Sequence, residues 1–210
     1  PPLFFLMVRA VRGLFGEDEM VLRLPALLSG VATVPLVWRM GRRLGGRPAR
    51  ATAALLFACS SLNLELSADL RMYSLLTLAF AGFLDGVLDL LEGEKGAFRT
   101  ALWTVVGLHT HYHFVHCLAV VLAAVALVSA ARRHTRTGLR PLLLALGVAG
   151  LLSLPWYAWG FAAQLRHGLP PGGSDISLAR FLEGLVHLVY LNVRLGGPLV
   201  RLLFLASGAI

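Results

Sequence analysis

Residues 20–50 read MVLRLPALLSGVATVPLVWRMGRRLGGRPAR, an apolar run that ends in five arginines (Arg39, Arg42, Arg43, Arg47 and Arg50) with no acid among them. A helix that crosses a bilayer needs about 20 mostly apolar residues, roughly 30 Å at 1.5 Å per residue. The run 20–40 meets that requirement. Lysine and arginine beside a span are retained on the cytoplasmic side, so the short basic loop also gives the span its direction.

Outward from this stretch the pattern repeats. Apolar runs at 49–66, 72–91, 97–111, 114–131 and 139–161 are expected to span, and a further run begins at Pro198. Lys95 with Arg99, and then Arg132, Arg133, Arg136 and Arg140, follow at intervals of two spans, so all three basic loops fall on one face. The opposite face receives Glu17, Asp18, Glu19, Glu65, Asp69, Asp175, Glu183 and every histidine except His134. Composition agrees, with 57% hydrophobic and only 14% charged residues and a mean hydropathy of +0.74. The fold class expected is all-α, a multi-pass integral membrane protein whose active side is extracytoplasmic. One transmembrane domain accounts for 1–210. It opens at Pro1 and stops within an apolar run, so it is read as an incomplete domain cut at both ends.

A net charge of +8 does not argue for nucleic acid here. The excess lies in short inter-helix loops, where topology and anionic lipid account for it. Cys59 and Cys117 lie inside apolar runs with no metal-ligand spacing, and read as core residues. Asp85 and Asp89, four apart toward the inner end of their span, hint at a transporter. An interfacial position covers them equally well.

The outer face carries the chemistry-bearing residues. Residues 1–15 are too short to span and set Arg9 and Arg12 against Leu3, Leu6, Met7, Ala10 and Leu14, which suits an interfacial helix. Glu17, Asp18 and Glu19 can cap the span that follows. Arg23 lies one turn beyond Glu19, at ion-pair spacing. Asn63, Glu65, Asp69, Arg71 and Tyr73 form a second group. There the guanidinium fork of Arg71 suits phosphate or carboxylate, Tyr73 can bond the same anion, and an Asp69–Arg71 ion pair is the plain alternative. His109, His111, His113 and His116 form a third. A continuous helix would align His109, His113 and His116, whereas a break near them would scatter the stripe. His109, His111 and His113 are the candidate metal ligands; no cofactor is required, and a divalent cation is left open. Trp156, Tyr157 and Trp159 resemble an interfacial aromatic belt, followed by a loop over 162–197 with an amphipathic stretch at 178–195 and a last span over 198–210.

In order, these groups resemble the GT-C type membrane glycosyltransferases of the family 39, PMT-like group. The family's His-Pro-Pro-Leu-Tyr-Tyr is similar to Pro1, Pro2, Leu3, Phe4, Phe5. Its Phe-Gly-x-x-Glu-x-x-x-Arg-Leu-Pro resembles Phe15, Gly16, Glu19, Arg23, Leu24, Pro25, and its Gly-Arg-Arg-Leu resembles Gly41, Arg42, Arg43, Leu44. Ser-Gln-Glu-Ala-Arg-Met-Tyr is matched by Ser67, Asp69, Arg71, Met72, Tyr73, with Ala68 for Gln and Asp for Glu. Thr-His-Tyr is matched by Thr110, His111, Tyr112. Beyond Tyr112 the likeness is hydropathic only.

The resemblance implies inverting transfer of a sugar from a polyprenyl-phosphate donor to a lipid, glycan or protein acceptor at the outer membrane face. It implies a GT-C-like bundle with interfacial helices on the extracytoplasmic side, in a bacterial cell envelope by composition. The catalytic Asp of the family lies upstream of the Pro-Pro motif, and so upstream of Pro1. Arg71, Tyr73, His111, Tyr112 and Arg23 are expected toward donor phosphate and substrate, with Asp69 and Glu19 supporting. A transporter, or a membrane scaffold without catalysis, is the alternative.

Overall fold

A computed structural model describes residues 2–131 and 136–167. Seven helices succeed one another: α1 (Leu3–Phe15), α2 (Glu19–Ala58), α3 (Ser61–Ala68), α4 (Tyr73–Leu91), α5 (Ala97–Thr110), α6 (Phe114–Ala131) and α7 (Arg136–His167). No strand occurs among the described residues, so the chain is all-α. Glu19–Arg43, Tyr73–Leu91 and Leu139–Gly160 are long and apolar enough to cross a membrane, and the bent pair Gly45–Ala58 with Ser61–Ala68 counts as a fourth if it acts as one span. The protein is a multi-pass membrane protein. The expected runs 178–195 and 198–210 and the basic pair Arg132 and Arg133 lie outside the described residues.

α2 is two arms rather than one rod. Gly45 and Gly46 leave helical geometry, and Gly46 adopts φ of +73°, which a residue with a Cβ reaches only with strain. The chain folds back so closely that a Cβ on Gly41 would sit 2.7 Å from the Arg50 Cα. The basic loop expected over 39–50 is therefore mostly helix, reduced to a two-glycine break. The run 49–66, expected as one span, falls on a helix pair that bends by 50° at Cys59–Ser60, between Gly45–Ala58 and Ser61–Ala68. α7 continues helical to His167, past the loop start expected at 162.

α4 is the central helix and packs against α2, α5 and α7. Burial of apolar groups does not drive one helix onto another inside lipid, so close backbone approach through small residues matters more. Gly82 and Gly86, four apart on α4, meet the Trp103 ring and Thr100 of α5. A Cβ would lie 2.4 Å from the ring at Gly82 and 2.6 Å from the Thr100 hydroxyl at Gly86. Phe83 and Phe114 pack edge to face, 5.8 Å between centroids, in a core with Val87, Leu108, Val121, Val125 and Leu142. α7 turns Leu143, Leu144, Val148, Leu151 and Leu152 outward, as lipid contact requires. α1 seats Phe4 on Ala26, Leu75 and Leu78. The stripe read from its sequence is only partly inward, because Leu6 and Leu14 remain exposed.

The largest departure from the sequence reading concerns Asp85 and Asp89. Both side chains are packed away from solvent, 2% and 0% exposed. Arg39 bonds Asp89 Oδ2 at 2.7 Å and Asp85 Oδ1 at 3.2 Å. Arg43 reaches Asp85 at 3.2 Å, pairs with Asp89, and meets Glu92 at 3.0 Å. Arg99 reaches Asp85 at 3.2 Å and also pairs with Asp89. An isolated charge buried here would be very costly, and each carboxylate instead meets three guanidiniums. This network ties the end of the first α2 arm, the end of α4 and the start of α5. The opposite ends of these helices carry the candidate site.

Candidate functional site

The start of α2 holds the first part of the site. Gly16, with φ of +97°, ends α1, and each of the three acids after it takes a separate role. Glu17 pairs with Arg12. Asp18 is the cap, accepting from the Met20 N–H at 2.8 Å. Glu19 pairs with Arg23 at the spacing expected. Arg23 reaches further, donating from Nη1 to the Ala68 carbonyl at 2.6 Å. It thereby caps the end of α3 and joins two parts of the chain 45 residues apart.

Two more contacts fix the α3–α4 turn on α2. Ser74 Oγ donates to the Ala26 carbonyl at 2.7 Å. Gly30 admits Ser67 where a Cβ would lie 1.9 Å from its hydroxyl, and that hydroxyl bonds back to Asn63 O at 2.6 Å. The turn between them carries Asp69 and Arg71. Asp69 has extended backbone (φ −84°, ψ 140°) and Tyr73 already begins α4, so the segment is neither the continuous strand nor the continuous helix weighed from sequence. Asp69 and Arg71 form an ion pair through Nε at 3.3 Å. Both side chains are exposed, and the two Nη groups of Arg71 make no hydrogen bond among the described residues. The pair therefore orients the guanidinium and leaves its outer fork open to an anion.

The α5–α6 turn supplies the rest. α5 ends at Thr110 and α6 begins at Phe114, so His109, His113 and His116 do not share a continuous helix. Thr110 is buried and bonds Val106 O at 2.7 Å. His111 is also buried, 4% exposed, and packs its ring against Tyr73 at 5.8 Å between centroids. This contact brings the Asp69–Tyr73 turn and the Thr110–Tyr112 turn to one end of the bundle. The His113 N–H donates to His111 Nδ1 at 3.1 Å, so a neutral His111 carries its proton on Nε2, as a hydrogen-bond donor. Burial holds this imidazole below its ordinary value of 6.5, and the charge of His113 acts in the same direction. Tyr112 is exposed.

The histidines expected as candidate metal ligands, His109, His111 and His113, make other contacts here. His109 bonds Val105 O through Nδ1 at 2.9 Å, and His113 stacks on His111 at 4.7 Å with planes 21° apart. Stacked rings do not point their nitrogens at one ion. Among the described residues no three His, Cys, Asp or Glu side chains are grouped to hold a metal.

Beside Arg23 lies a cavity of about 310 Å³ lined by Met20, Val21, Arg23, Leu24, Leu27, Ser67 and Ala68. Its wall is apolar except for the guanidinium and the Ser67 hydroxyl, and Ala68 immediately precedes Asp69. The sequence could not show this cavity, nor the roles of Gly30, Ser74 and the Ala68 carbonyl, because each depends on a partner more than 35 residues away.

A family model described as dolichyl-phosphate-mannose-protein mannosyltransferase matches residues 1–159. No curated protein and no solved structure matches the chain.

Proposed function

The chain belongs to the dolichyl-phosphate-mannose-protein mannosyltransferase family, and from that premise we propose that it moves a sugar from a polyprenyl-phosphate donor to an acceptor hydroxyl on the extracytoplasmic side of a cell membrane. The acceptor oxygen attacks the anomeric carbon from the face opposite the phosphate. The bond from that carbon to the phosphate oxygen breaks, its electron pair leaves with the polyprenyl phosphate, and the hydroxyl proton passes to a general base. Configuration inverts. The leaving phosphate gains charge as the bond breaks, so donors already aimed at it lower the barrier.

The observation that carries this reading is the contact of Tyr73 with His111. It gathers the open fork of Arg71, the Tyr73 hydroxyl and a buried imidazole that is neutral at pH 7 at one end of the bundle. Arg71 would take two phosphate oxygens, Asp69 would hold its Nε, and His111 would donate from Nε2. Glu19 and Arg23 would shape the floor, and the neighbouring apolar cavity has the chemistry for the first isoprene units.

Transfer of labelled sugar from a defined polyprenyl-phosphate donor, by membranes holding the protein, tests the reading. Arg71→Ala should lower transfer about 10²- to 10³-fold with expression unchanged, the loss typical when one donor to a developing charge is removed. Arg71→Lys should recover only part of it, because an ammonium lacks the fork. Undiminished transfer by Arg71→Ala would remove the assignment. Absence of transfer by the wild type across several donors and acceptors would move weight to a transporter or a scaffold.

A further inference from the structure

Five arginines flank the break of α2, and the structure separates them into two sets. Arg39 and Arg43 are held by Asp85 and Asp89. Arg42 and Arg47 are exposed and make no ion pair among the described residues. Arg50 sets its guanidinium 5.3 Å from the centre of the Trp38 ring and likewise has no carboxylate partner among them. The tip of this hairpin therefore presents Arg42 and Arg47 without a carboxylate partner among the described residues, with Arg50 set just below them against Trp38.

What lies below the tip indicates the ligand. Trp38 is 44% exposed with Arg50 against it, an arrangement suited to the level where headgroups meet acyl chains. Further from the tip, Leu28 and Val31 on the first arm and Leu55 and Leu56 on the second are exposed and apolar. Cations at the tip, one tryptophan next and alkyl side chains beyond match the profile of one amphiphile, anion first and hydrocarbon after. A free phosphate ion or a nucleic acid would use only the tip.

We propose that this hairpin binds the phosphodiester headgroup of an anionic phospholipid, with Arg42 and Arg47 on the phosphate, Arg50 and Trp38 at the glycerol level and the exposed leucines along the acyl chain. The pairing of Arg39 and Arg43 with the buried aspartates anchors the first arm, so little motion is lost when the lipid docks. The site is at the opposite end of the bundle from Arg71 and does not depend on sugar transfer.

The test is lipid retention. The protein is purified in detergent, stripped of lipid, and titrated with phosphatidylglycerol or phosphatidylcholine, with bound lipid counted by native mass spectrometry. Wild type should prefer phosphatidylglycerol, and R42Q/R47Q should weaken that preference by roughly fivefold for each arginine removed, the effect of about 1 kcal/mol per basic residue at an anionic surface. R42K/R47K, which keeps both charges, should keep the preference. Arg9→Gln, an exposed cation on α1, should also leave it unchanged, and an excess of inorganic phosphate should not displace the lipid. Equal retention of the two lipids by wild type would overturn the proposal whether or not the glutamine variant folds. Displacement by inorganic phosphate would replace it with a free-anion site, and equal losses for Arg9→Gln and R42Q/R47Q would reduce it to bulk charge.

Discussion

His111 is the residue whose chemistry depends most on its surroundings. Burial and His113 hold its imidazole below 6.5, and the sign of the consequence follows from linkage. Above 6.5 the ring is neutral in both folded and unfolded chains, so its contribution is fully present. As the pH falls below that value the unfolded chain takes up the proton first, and stability is lost until the lowered folded value is passed. Replacing His111 with Asn should flatten this acid limb of stability, which thermal melting in detergent across a pH series would measure. Parallel curves for variant and wild type would sink the idea. Arg23 offers a second case at this scale. Its pairing with Glu19 was legible from a spacing of four. Its bond to the Ala68 carbonyl was not, because a backbone oxygen has no signature in a sequence.

At the scale of elements, the approach of α4 to α5 depends on two missing side chains. A Cβ at Gly82 would fall 2.4 Å from the Trp103 ring and one at Gly86 would fall 2.6 Å from the Thr100 hydroxyl. Gly86→Val should therefore force the helices apart and cost about 1–3 kcal/mol, as overpacking of a tight contact does, and it should lower the melting temperature. Gly147→Ala on α7, where nothing lies within 4 Å of the position, should be close to neutral. Equal effects of the two would argue that the α4–α5 contact is not close in solution. The break between α5 and α6 belongs to the same scale. Two short apolar runs joined at His111–His113 already implied a turn, but only the packing of Phe114 against Gly107 and of His111 against Tyr73 decided where the histidines went.

At the scale of the whole molecule, the described residues divide their charge between two ends. One end holds Asp85 and Asp89 among Arg39, Arg43 and Arg99, and the other holds the open fork of Arg71. Asp89→Asn leaves three guanidiniums short of a partner and should cost about 3–5 kcal/mol, the scale of breaking a buried ion pair. Removing Arg99 as well should return part of that loss, in a double-mutant cycle on melting temperature. A fully additive cycle would show that the two residues do not interact. Composition and spacing by themselves determined the all-helical membrane class and which residues share an end, because hydrophobic runs about 20 residues long and basic loops between them are properties of the chain read locally. They also placed Glu19, Arg23, Asp69, Arg71, Tyr73 and His111 on one side. Tertiary structure alone decided that Asp85 and Asp89 are buried counter-ions to Arg39, Arg43 and Arg99, that α2 doubles back at Gly45–Gly46, and that Tyr73 meets His111. Each of those depends on which side chains face one another across helices, and that register is set by close packing of small residues and by pairing of buried charge, neither of which a periodicity along one segment can specify.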